Sequence, residues 1–200
     1  MSDYIFLFDL DSTVTREEIL PTISKKIGRY DEMRRLTEST MQGEISFLES
    51  FLMRVDILKE IRVSDVRSLI SQIPLNEHIA TFIREHSDRC FIVTGNLDIW
   101  ISDLMKQIGI ENHVYCSRCD VEDDMITKVV SVADKDLICR QFVHPFVAIG
   151  DGSNDVPMAK LASISVGFGG VRELAPALSE CVDYKFYDDK ECAEFLESLL

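Results

Sequence analysis

The sequence has few of the residues that cross-link or break a polypeptide chain: 5 prolines, 9 glycines and 6 cysteines among 200 residues. The cysteines are scattered apart from one close pair, Cys116 and Cys119, with His113 three residues upstream of Cys116. No second pair completes a tetrahedral ligand set, so we expect reduced, mostly buried thiols rather than structural zinc. No long stretch has a disordered composition, so we expect no long flexible linker.

Positive charge is also scarce, because 21 lysines and arginines face 35 aspartates and glutamates and leave a formal charge of −14. This balance argues against nucleic acid or an anionic membrane surface as the main partner. No signal sequence precedes the first predicted strand, and no apolar run is long enough to cross a bilayer. We therefore expect no membrane association and a cytoplasmic location. The composition favours no particular oligomeric state.

The chain is nevertheless able to bury a full core, since 46% of its residues are hydrophobic. Its length fits one α/β domain with a small insert. From Glu17 to about Leu75 the apolar positions recur at helical spacing, which predicts a helical insert that ends near Pro74. Residues 1–14 and 76–200 are predicted to form the main body, and residues 15–75 the insert.

Beyond Pro74 the pattern alternates between helices and strands. The predicted helices lie in NEHIATFIREHS, LDIWISDLMKQIG, DKDLICRQF and NDVPMAKLA, with two more at the C-terminus. The predicted strands lie in RCFIVTG, HVYCS, PFVAIG and SISVGFGG, with a strand pair around the acidic turn of DVEDDMITKVVSV. Strands separated by helices of this length predict right-handed crossovers and a parallel sheet that is covered on both faces.

Polar residues follow three of the predicted buried strands. Asp9 and Asp11 follow YIFLF, Thr94-Gly95-Asn96 form the end of the CFIVTG strand, and Asp151 through Asp155 follow FVAIG. Ligands of open α/β sheets bind outside the carboxyl ends of the strands, so we expect these three segments to converge. Asp9, Asp11, Asp151 and Asp155 would then gather four carboxylates at one edge of the sheet.

Four neighbouring carboxylates repel one another unless a cation neutralises them. A ligand set of oxygens without cysteine or histidine suits a hard ion, and Mg²⁺ is the natural choice because it also accepts a substrate phosphate. Beside such an ion, Asp9 is able to attack phosphorus and form an aspartyl-phosphate. Asp11 is placed to protonate the leaving oxygen and later to deprotonate water. Thr94 and the amides near Gly95 are candidate donors to the phosphate oxygens.

The segments DLDST, VTGN and GDGSND resemble the motifs of the haloacid dehalogenase superfamily of phosphohydrolases. The resemblance implies a doubly wound, Rossmann-like core with a small helical cap after the first strand. It makes Asp9 the nucleophile and Asp11 the acid and base, and it assigns Asp151 and the Asp11 carbonyl as metal ligands. Asp155 would support the metal through water. The remaining implied phosphate contacts are Thr94, Asn154 and a lysine, for which we favour Lys135 over Lys128.

The predicted insert resembles the cap of the phosphoserine phosphatases within this superfamily. The resemblance implies substrate contacts from five positions of the insert and from an arginine in GFGGVRE: Glu18, Met41, Gly43, Phe47, Arg54 and Arg172. Phosphoserine carries an ammonium and a carboxylate beside its phosphate, so its pocket needs an acid and a guanidinium. Phe47 and Arg54 are seven residues apart and are therefore predicted to share one helix face.

The expected activity is Mg²⁺-dependent hydrolysis of O-phospho-L-serine, the last step of serine synthesis, with a small phosphorylated metabolite as partner. Two departures, Thr94-Gly95-Asn96 in place of Ser-Gly-Gly and a short span from Lys135 to Asp151, leave other reactions open. These are hydrolysis of phosphocholine, phosphoethanolamine or a sugar phosphate, and phosphoryl transfer to an alcohol. A catalytically silent binding module is disfavoured because Asp9 and Asp11 are both present.

Overall fold

The computed structural model describes residues 4–200 and contains one seven-stranded sheet. Its strands are β1 (Ile5–Phe8), β2 (Cys90–Leu97), β3 (Val114–Glu122), β4 (Met125–Ser131), β5 (Phe146–Gly150), β6 (Ile164–Phe168) and β7 (Tyr184–Phe186). They lie in the order β4-β3-β2-β1-β5-β6-β7, and every neighbouring pair is parallel except β3 and β4. The predicted α/β class with a mostly parallel sheet is confirmed.

The helices divide into those between β1 and β2 and those that follow β2 in the sequence. The first group is α1 (Ile19–Ser24), α2 (Tyr30–Met41), α3 (Phe47–Leu58), α4 (Val63–Ile70) and α5 (Glu77–Glu85). The second is α6 (Asp98–Ile108), α7 (Lys135–Cys139), α8 (Val156–Leu161), α9 (Pro176–Ser179) and α10 (Asp189–Glu197). Within residues 4–200, no helix combines the length and the apolar character that crossing a bilayer requires.

The central strand β1 shows that both faces of the sheet are covered. Successive side chains of a strand point to opposite faces. Phe6 and Phe8 accordingly pack in one hydrophobic cluster, where both rings contact Phe82 of α5. Leu7 packs in the opposite cluster, which includes Met158 of α8. All three strand residues are fully buried, and this double coverage explains the unbroken apolar run that ends at Asp9.

The segment from α1 to α4 leaves and rejoins the sheet at one place. Thr15 pairs with Leu75 in an isolated antiparallel bridge, and the Arg16 N–H donates to the Pro74 carbonyl at 2.7 Å. The buried side chains of this segment, among them Ile19 and Phe51, belong to the same hydrophobic cluster as Phe6 and Phe8. The segment therefore shares its core with one face of the sheet.

Three predicted boundaries differ from the structure. Strand β2 continues to Leu97 with an irregular register after Val93, two residues beyond the end predicted at Gly95. The three-residue strand β7 was not predicted. The helix expected in NDVPMAKLA begins as a 3₁₀ turn, Ser153–Asp155, before α8.

Candidate active site

Three carboxylates meet at the carboxyl ends of β1 and β5. Asp9 follows β1 directly, Asp151 follows β5, and Asp155 closes the 3₁₀ turn before α8. Each contributes an oxygen within 4.8 Å of the others, although Asp9 lies more than a hundred residues before Asp151 and Asp155 in the sequence. All three are buried, with Asp151 and Asp155 only 1% exposed.

A lysine neutralises part of this negative charge. Lys135 begins α7, and its Nζ lies 2.5 Å from Asp9 Oδ1 and 2.5 Å from Asp155 Oδ1. Burial, the largest influence, lowers the pKa of Lys135, but Asp155 and Asp9 together raise it above the ordinary value. Lys128, the alternative lysine, lies exposed on β4. The geometry therefore brings Lys135 to the carboxylates and keeps Lys128 away.

The Asp155 carboxylate fixes the backbone of the loop that follows β5. Asp155 Oδ2 accepts hydrogen bonds from the backbone N–H groups of Asp151, at 3.0 Å, and Gly152, at 2.9 Å. A Cβ at Gly150 would lie 2.5 Å from the Asp155 carboxyl group, so only glycine fits at that position. These contacts explain why GDGSND begins with glycine and ends with aspartate.

Burial dominates the electrostatics of the three acids. Loss of hydration raises the pKa of Asp9 to about 7, with Lys135 acting in the opposite direction. The pKa of Asp151 lies well above its ordinary value, first because of burial and then because of repulsion from Asp9. The cluster therefore gains stability from an added cation, since Lys135 alone does not offset the burial of these charges.

Asp11 lies at the other side of the site, where the chain turns after β1. The turn has Ser12 in the left-handed region, with φ of 57°. The Ile19 N–H at the start of α1 donates to Asp11 Oδ1 at 2.8 Å, and the Asn96 side-chain amide donates to Asp11 Oδ2. Burial raises the pKa of Asp11 above its ordinary value, against the effect of these two hydrogen bonds.

The irregular end of β2 contributes the Thr94 hydroxyl to the site and brings the Gly95 backbone close to the Phe47 ring of α3. Thr94 is fully buried, and its Oγ1 accepts the Asn96 N–H at 3.2 Å. The Gly95 carbonyl accepts a hydrogen bond from Ser117 Oγ at 2.7 Å. The Phe47 ring of α3 lies where a Cβ at Gly95 would be, so the strand and the helix meet this closely only because residue 95 is glycine.

A buried guanidinium faces the carboxylates from α3. Arg54 is 9% exposed, and its hydrogen bonds go to the Ser50 carbonyl at 3.3 Å and to Thr37 Oγ1 at 3.5 Å. No carboxylate of residues 4–200 forms an ion pair with it. Burial lowers the pKa of Arg54 to about 10, while Asp11 acts in the opposite direction. A buried cation of this kind is suited to an anionic ligand group.

Most of the predicted site residues line one cavity. They are Asp9, Asp11, Glu18, Met41, Phe47, Arg54, Gly95, Asp151, Asn154 and Arg172. Lys135 contacts both Asp9 and Asp155, and Thr94 Oγ1 accepts the Asn96 N–H. Gly43 does not line the cavity; it is exposed after α2 with φ of 75°, and its predicted role stays a prediction.

The cavity has seven further lining residues. Asn96 and Ser153 belong to the strand-end segments that were expected to converge here, whereas Leu20, Pro21, Thr37, Thr40 and Phe51 were not predicted. A helical pattern around the predicted residues would have identified two of them. Phe51 lies one turn after Phe47, with the two rings stacked at 5.8 Å between centroids. Thr37 lies one turn before Met41. The others depend on contacts between distant segments, such as the hydrogen bond from Ser153 Oγ to the Thr40 carbonyl at 3.0 Å.

Arg172 connects the two sides of the cavity. Its Nε lies 2.5 Å from Asp151 Oδ2, and its Nη1 pairs with the Glu18 carboxylate at the start of α1. Glu18, predicted to contact substrate, therefore already has one cationic partner. The assembled groups suit phosphoryl transfer, because a carboxylate beside an ammonium, a second carboxyl and buried cations surround one cavity.

Comparisons with known proteins bear on the family and the fold. A family model described as haloacid dehalogenase-like hydrolase matches residues 6–160. A phosphoserine phosphatase of Methanocaldococcus jannaschii is 26% identical over 208 residues, which cover 96% of this chain and 97% of the relative. A solved phospho-aspartyl intermediate analogue of phosphoserine phosphatase has a TM-score of 0.82 at 26% identity, covering 98% of this chain and 99% of that one. A substrate-bound phosphoserine phosphatase has a TM-score of 0.83 at 25% identity, covering 99% of each chain.

Proposed function

This chain belongs to the haloacid dehalogenase-like hydrolase family, and from that membership we propose that it hydrolyses O-phospho-L-serine to L-serine and phosphate. The observation that carries the proposal is the buried Arg54, which faces the same cavity as Asp9 and Asp11 and has no carboxylate partner among residues 4–200. A substrate with a phosphate at one end and a carboxylate at the other matches these two sides. The phosphoserine phosphatases that resemble the chain extend over nearly its whole length.

The reaction begins with Asp9 as nucleophile. An oxygen of its carboxylate attacks phosphorus, the ester P–O bond breaks, and an aspartyl-phosphate forms on Asp9. Lys135, which contacts Asp9 Oδ1, is suited to hold a phosphate oxygen nearby. Thr94 is the second candidate donor, because within residues 4–200 its Oγ1 acts only as an acceptor, from Asn96, and a hydroxyl carries one proton to donate.

Asp11 serves as acid and then as base. Its carboxyl proton passes to the serine oxygen as that oxygen leaves phosphorus. In the second half-reaction the ionised Asp11 accepts a proton from water while the water oxygen attacks the phosphorus of phospho-Asp9. The Asp9 carboxylate is regenerated, and the products are L-serine and inorganic phosphate. The raised pKa of Asp11 favours the protonated form that the first step needs.

A divalent cation fits the donor set of this site. Asp9, Asp151 and Asp155 offer buried oxygens within 4.8 Å of one another, and no cysteine or histidine is among the lining residues described. Such a set suits Mg²⁺, with Asp9, Asp151 and the Asp11 carbonyl as ligands and Asp155 as support. When bound, the ion supplies charge neutralisation and orients the phosphate toward Asp9.

Recognition of the serine portion falls to α1, α2 and α3. Arg54 is assigned to the carboxylate, because a guanidinium forms two parallel hydrogen bonds with such a group. Glu18 is assigned to the ammonium, and Phe47 and Met41 line the intervening wall. This activity would supply the last step of serine synthesis.

A second candidate is hydrolysis of a different small phosphomonoester. The observation that favours it is the ion pair between Glu18 and Arg172, because an ammonium would compete with Arg172 for the same carboxylate. Phosphate esters without an ammonium group would leave this pair undisturbed.

The test is phosphate release from a panel of phosphomonoesters with and without Mg²⁺. The panel contains O-phospho-L-serine, phosphocholine, phosphoethanolamine, a sugar phosphate and p-nitrophenyl phosphate. We expect O-phospho-L-serine to have the highest kcat/KM and Asp9→Asn to lose roughly 10⁴-fold or more of the activity. A low rank for O-phospho-L-serine with activity elsewhere would contradict the substrate assignment and leave the reaction class intact.

A further inference from the structure

The Asn96 side chain lies between the predicted acid and the predicted phosphate contact. It is 3% exposed, its amide nitrogen donates to Asp11 Oδ2, and the same nitrogen lies 3.4 Å from Thr94 Oγ1. We propose that Asn96 is a positioning residue that holds the Asp11 carboxyl group in the orientation needed to protonate the leaving oxygen. This inference rests on the proposed phosphatase reaction and assigns a residue to its first step.

Two donors fix the Asp11 carboxyl group, and they come from different parts of the chain. The Ile19 N–H holds Oδ1 at 2.8 Å, and the Asn96 amide holds Oδ2. One hydrogen bond leaves the carboxyl plane free to rotate about the Cβ–Cγ bond, whereas two bonds to different oxygens define it. The backbone donor belongs to α1, so Asn96 is the side-chain donor that β2 adds from the opposite direction.

The orientation of the Asn96 amide follows from its neighbours. In the structure the amide turns its NH₂ group toward Asp11, which is the orientation that the ionised Asp11 of the second half-reaction requires, because a carboxylate only accepts hydrogen bonds. Its carbonyl oxygen is then left buried without a partner among residues 4–200. An unpaired buried acceptor costs folding stability, and such groups are uncommon enough to need an explanation. Asn96 bears this cost while its NH₂ group supports Asp11, which indicates that the residue serves the site rather than stability.

Asn96 is held in place by the strand as well as by its side chain. Its backbone N–H donates to Thr94 Oγ1 at 3.2 Å, and the neighbouring Gly95 carbonyl is held by Ser117 Oγ at 2.7 Å. Ser117 Oγ in turn accepts the Ala133 N–H at 3.0 Å. These hydrogen bonds fix the backbone at the irregular end of β2 and so fix the position of the Asn96 amide. Correct orientation of this kind is what proton transfer from a carboxyl group requires.

The inference predicts a dependence on the basicity of the leaving group. As the P–O bond breaks, a strongly basic alkoxide needs the Asp11 proton, whereas p-nitrophenolate leaves without it. If Asn96 orients Asp11, its loss must slow esters of basic alcohols more than esters of acidic phenols. A residue that only shapes the fold would slow both by the same factor, because its loss displaces Asp9 and Thr94 for every substrate.

The experiment measures kcat/KM of the Mg²⁺-loaded full chain, since this constant reports the steps up to formation of the aspartyl-phosphate. The substrates are O-phospho-L-serine and a series of substituted phenyl phosphates from p-nitrophenyl to unsubstituted phenyl. For Asn96→Ala we expect roughly a tenfold loss with O-phospho-L-serine. In the aryl series we expect a loss that grows steadily with the basicity of the phenol.

Two further variants distinguish positioning from packing. Ser117→Ala removes the support of the Gly95 carbonyl and so loosens the strand that carries Asn96, while both the Asn96 amide and Asp11 remain; its loss should be smaller than that of Asn96→Ala and should grow with the basicity of the phenol in the same way. Asn96→Asp keeps the shape of the side chain but presents an oxygen where Asp11 needs a donor, so it should be no more active than Asn96→Ala. A uniform loss in Asn96→Ala, or higher activity in Asn96→Asp than in Asn96→Ala, would overturn the inference.

The aryl phosphates also test the role of Asn96 independently of whether O-phospho-L-serine is the substrate. If the wild-type chain hydrolyses aryl phosphates but not O-phospho-L-serine, the substrate proposal is wrong, and the slope of the series still decides the role of Asn96. A steeper slope in Asn96→Ala then supports the positioning role for whichever ester is the substrate.

Discussion

At the residue scale, the site depends on buried charges that have one another as partners. Lys135 contacts Asp9 and Asp155, and all three side chains are at most 6% exposed. Removing one member of such a group leaves an uncompensated buried charge, which is more costly than removing the whole group. Arg54 differs from these residues, because its charge has no carboxylate partner within residues 4–200 and is therefore available to a ligand.

The first prediction concerns this available charge. Arg54→Ala is expected to raise KM for O-phospho-L-serine roughly 10- to 100-fold, because a hydrogen-bonded ion pair with the substrate carboxylate is lost. The effect on p-nitrophenyl phosphate, which has no carboxylate, should be much smaller. Steady-state kinetics on both substrates provides the measurement.

The matched control for Arg54 is Arg35→Ala, which removes an exposed arginine of α2 that does not line the cavity. This variant should hydrolyse both substrates like the wild type. Equal losses on both substrates in Arg54→Ala would show that Arg54 supports the fold of α3 rather than binding the carboxylate.

At the scale of elements, the contact between β2 and α3 decides the shape of the cavity. The Phe47 ring occupies the space that a Cβ at Gly95 would need, and the same ring lies 6.0 Å from the Arg54 guanidinium. Gly95→Ala must therefore displace the Phe47 ring, which lines the cavity at the start of α3. We expect a loss of roughly tenfold or more in kcat/KM, because small displacements of binding groups are costly to catalysis.

A double-mutant cycle tests the cause of this loss. In a Phe47→Ala background the added methyl group has room, so Gly95→Ala should cost much less there than in the wild type. Measured kcat/KM values for the four proteins give the coupling directly. Additive effects would mean that the ring is not what makes Gly95 necessary.

A second element-scale contact joins the β3–β4 hairpin to α4. The hairpin turn has Asp123 at φ of 48° and Asp124 at φ of 65°, as in a type I′ turn. The Asp124 carboxylate accepts from the Ser64 N–H at 3.0 Å and from its hydroxyl at 2.5 Å. The Val63 N–H donates to the Asp124 carbonyl at 2.8 Å. The hairpin thus caps the start of α4 from outside the helix.

The corresponding prediction is that Asp124→Ala lowers Tm by about 2–4 °C more than Asp123→Ala does. The two substitutions remove the same charge and place alanine at similar positive φ values, so they differ mainly in the cap of α4. Thermal unfolding followed by circular dichroism gives both values. Equal decreases in Tm would show that the strained turn, and not the cap, determines the effect.

At the scale of the whole molecule, the net charge of −14 and the acidic site both lower the stability of the folded protein as the pH rises. In the metal-free protein the pKa of Asp9 is about 7 when folded, against 3.8 for an unperturbed aspartate. Between these values the folded state binds more protons than the unfolded state, so the free energy of unfolding falls as the pH rises. The pKa of Asp151 is raised as well and adds to this effect.

This leads to a prediction about metal removal. Without divalent cations Tm should fall as the pH rises from 5.5 to 8, and saturating Mg²⁺ should raise Tm by roughly 5–10 °C at pH 8. The increase should be smaller at pH 5.5, because protonated Asp9 and Asp151 bind the ion less well. Asp151→Asn should lose most of the Mg²⁺-dependent increase, whereas Asp65→Asn on the exposed face of α4 should retain it. An increase that is independent of pH would contradict the assignment of these carboxylates.

Much of the fold was predictable because its signals are local. The strands β1, β5 and β6 are short apolar runs, and α5 and α6 have amphipathic spacing. Strand β7 was missed because three residues are too few to show the alternation of apolar and polar residues that marks a strand. Strand β2 was predicted too short because Thr-Gly-Asn is typical of a turn. Pairing of Leu97 with Ser117 extends that strand, which is a contact that local propensity does not encode.

The sequence by itself determined that the chain forms a parallel α/β sheet and that acidic residues follow its strands, because periodicity and strand-end chemistry are written in adjacent residues. Only the tertiary structure decided which groups meet. It joined Lys135 rather than Lys128 to Asp9, paired Arg172 with Asp151 and Glu18, and brought Asn96 to Asp11. These pairs depend on strand order and on the packing of distant helices, which set distances that no local spacing contains.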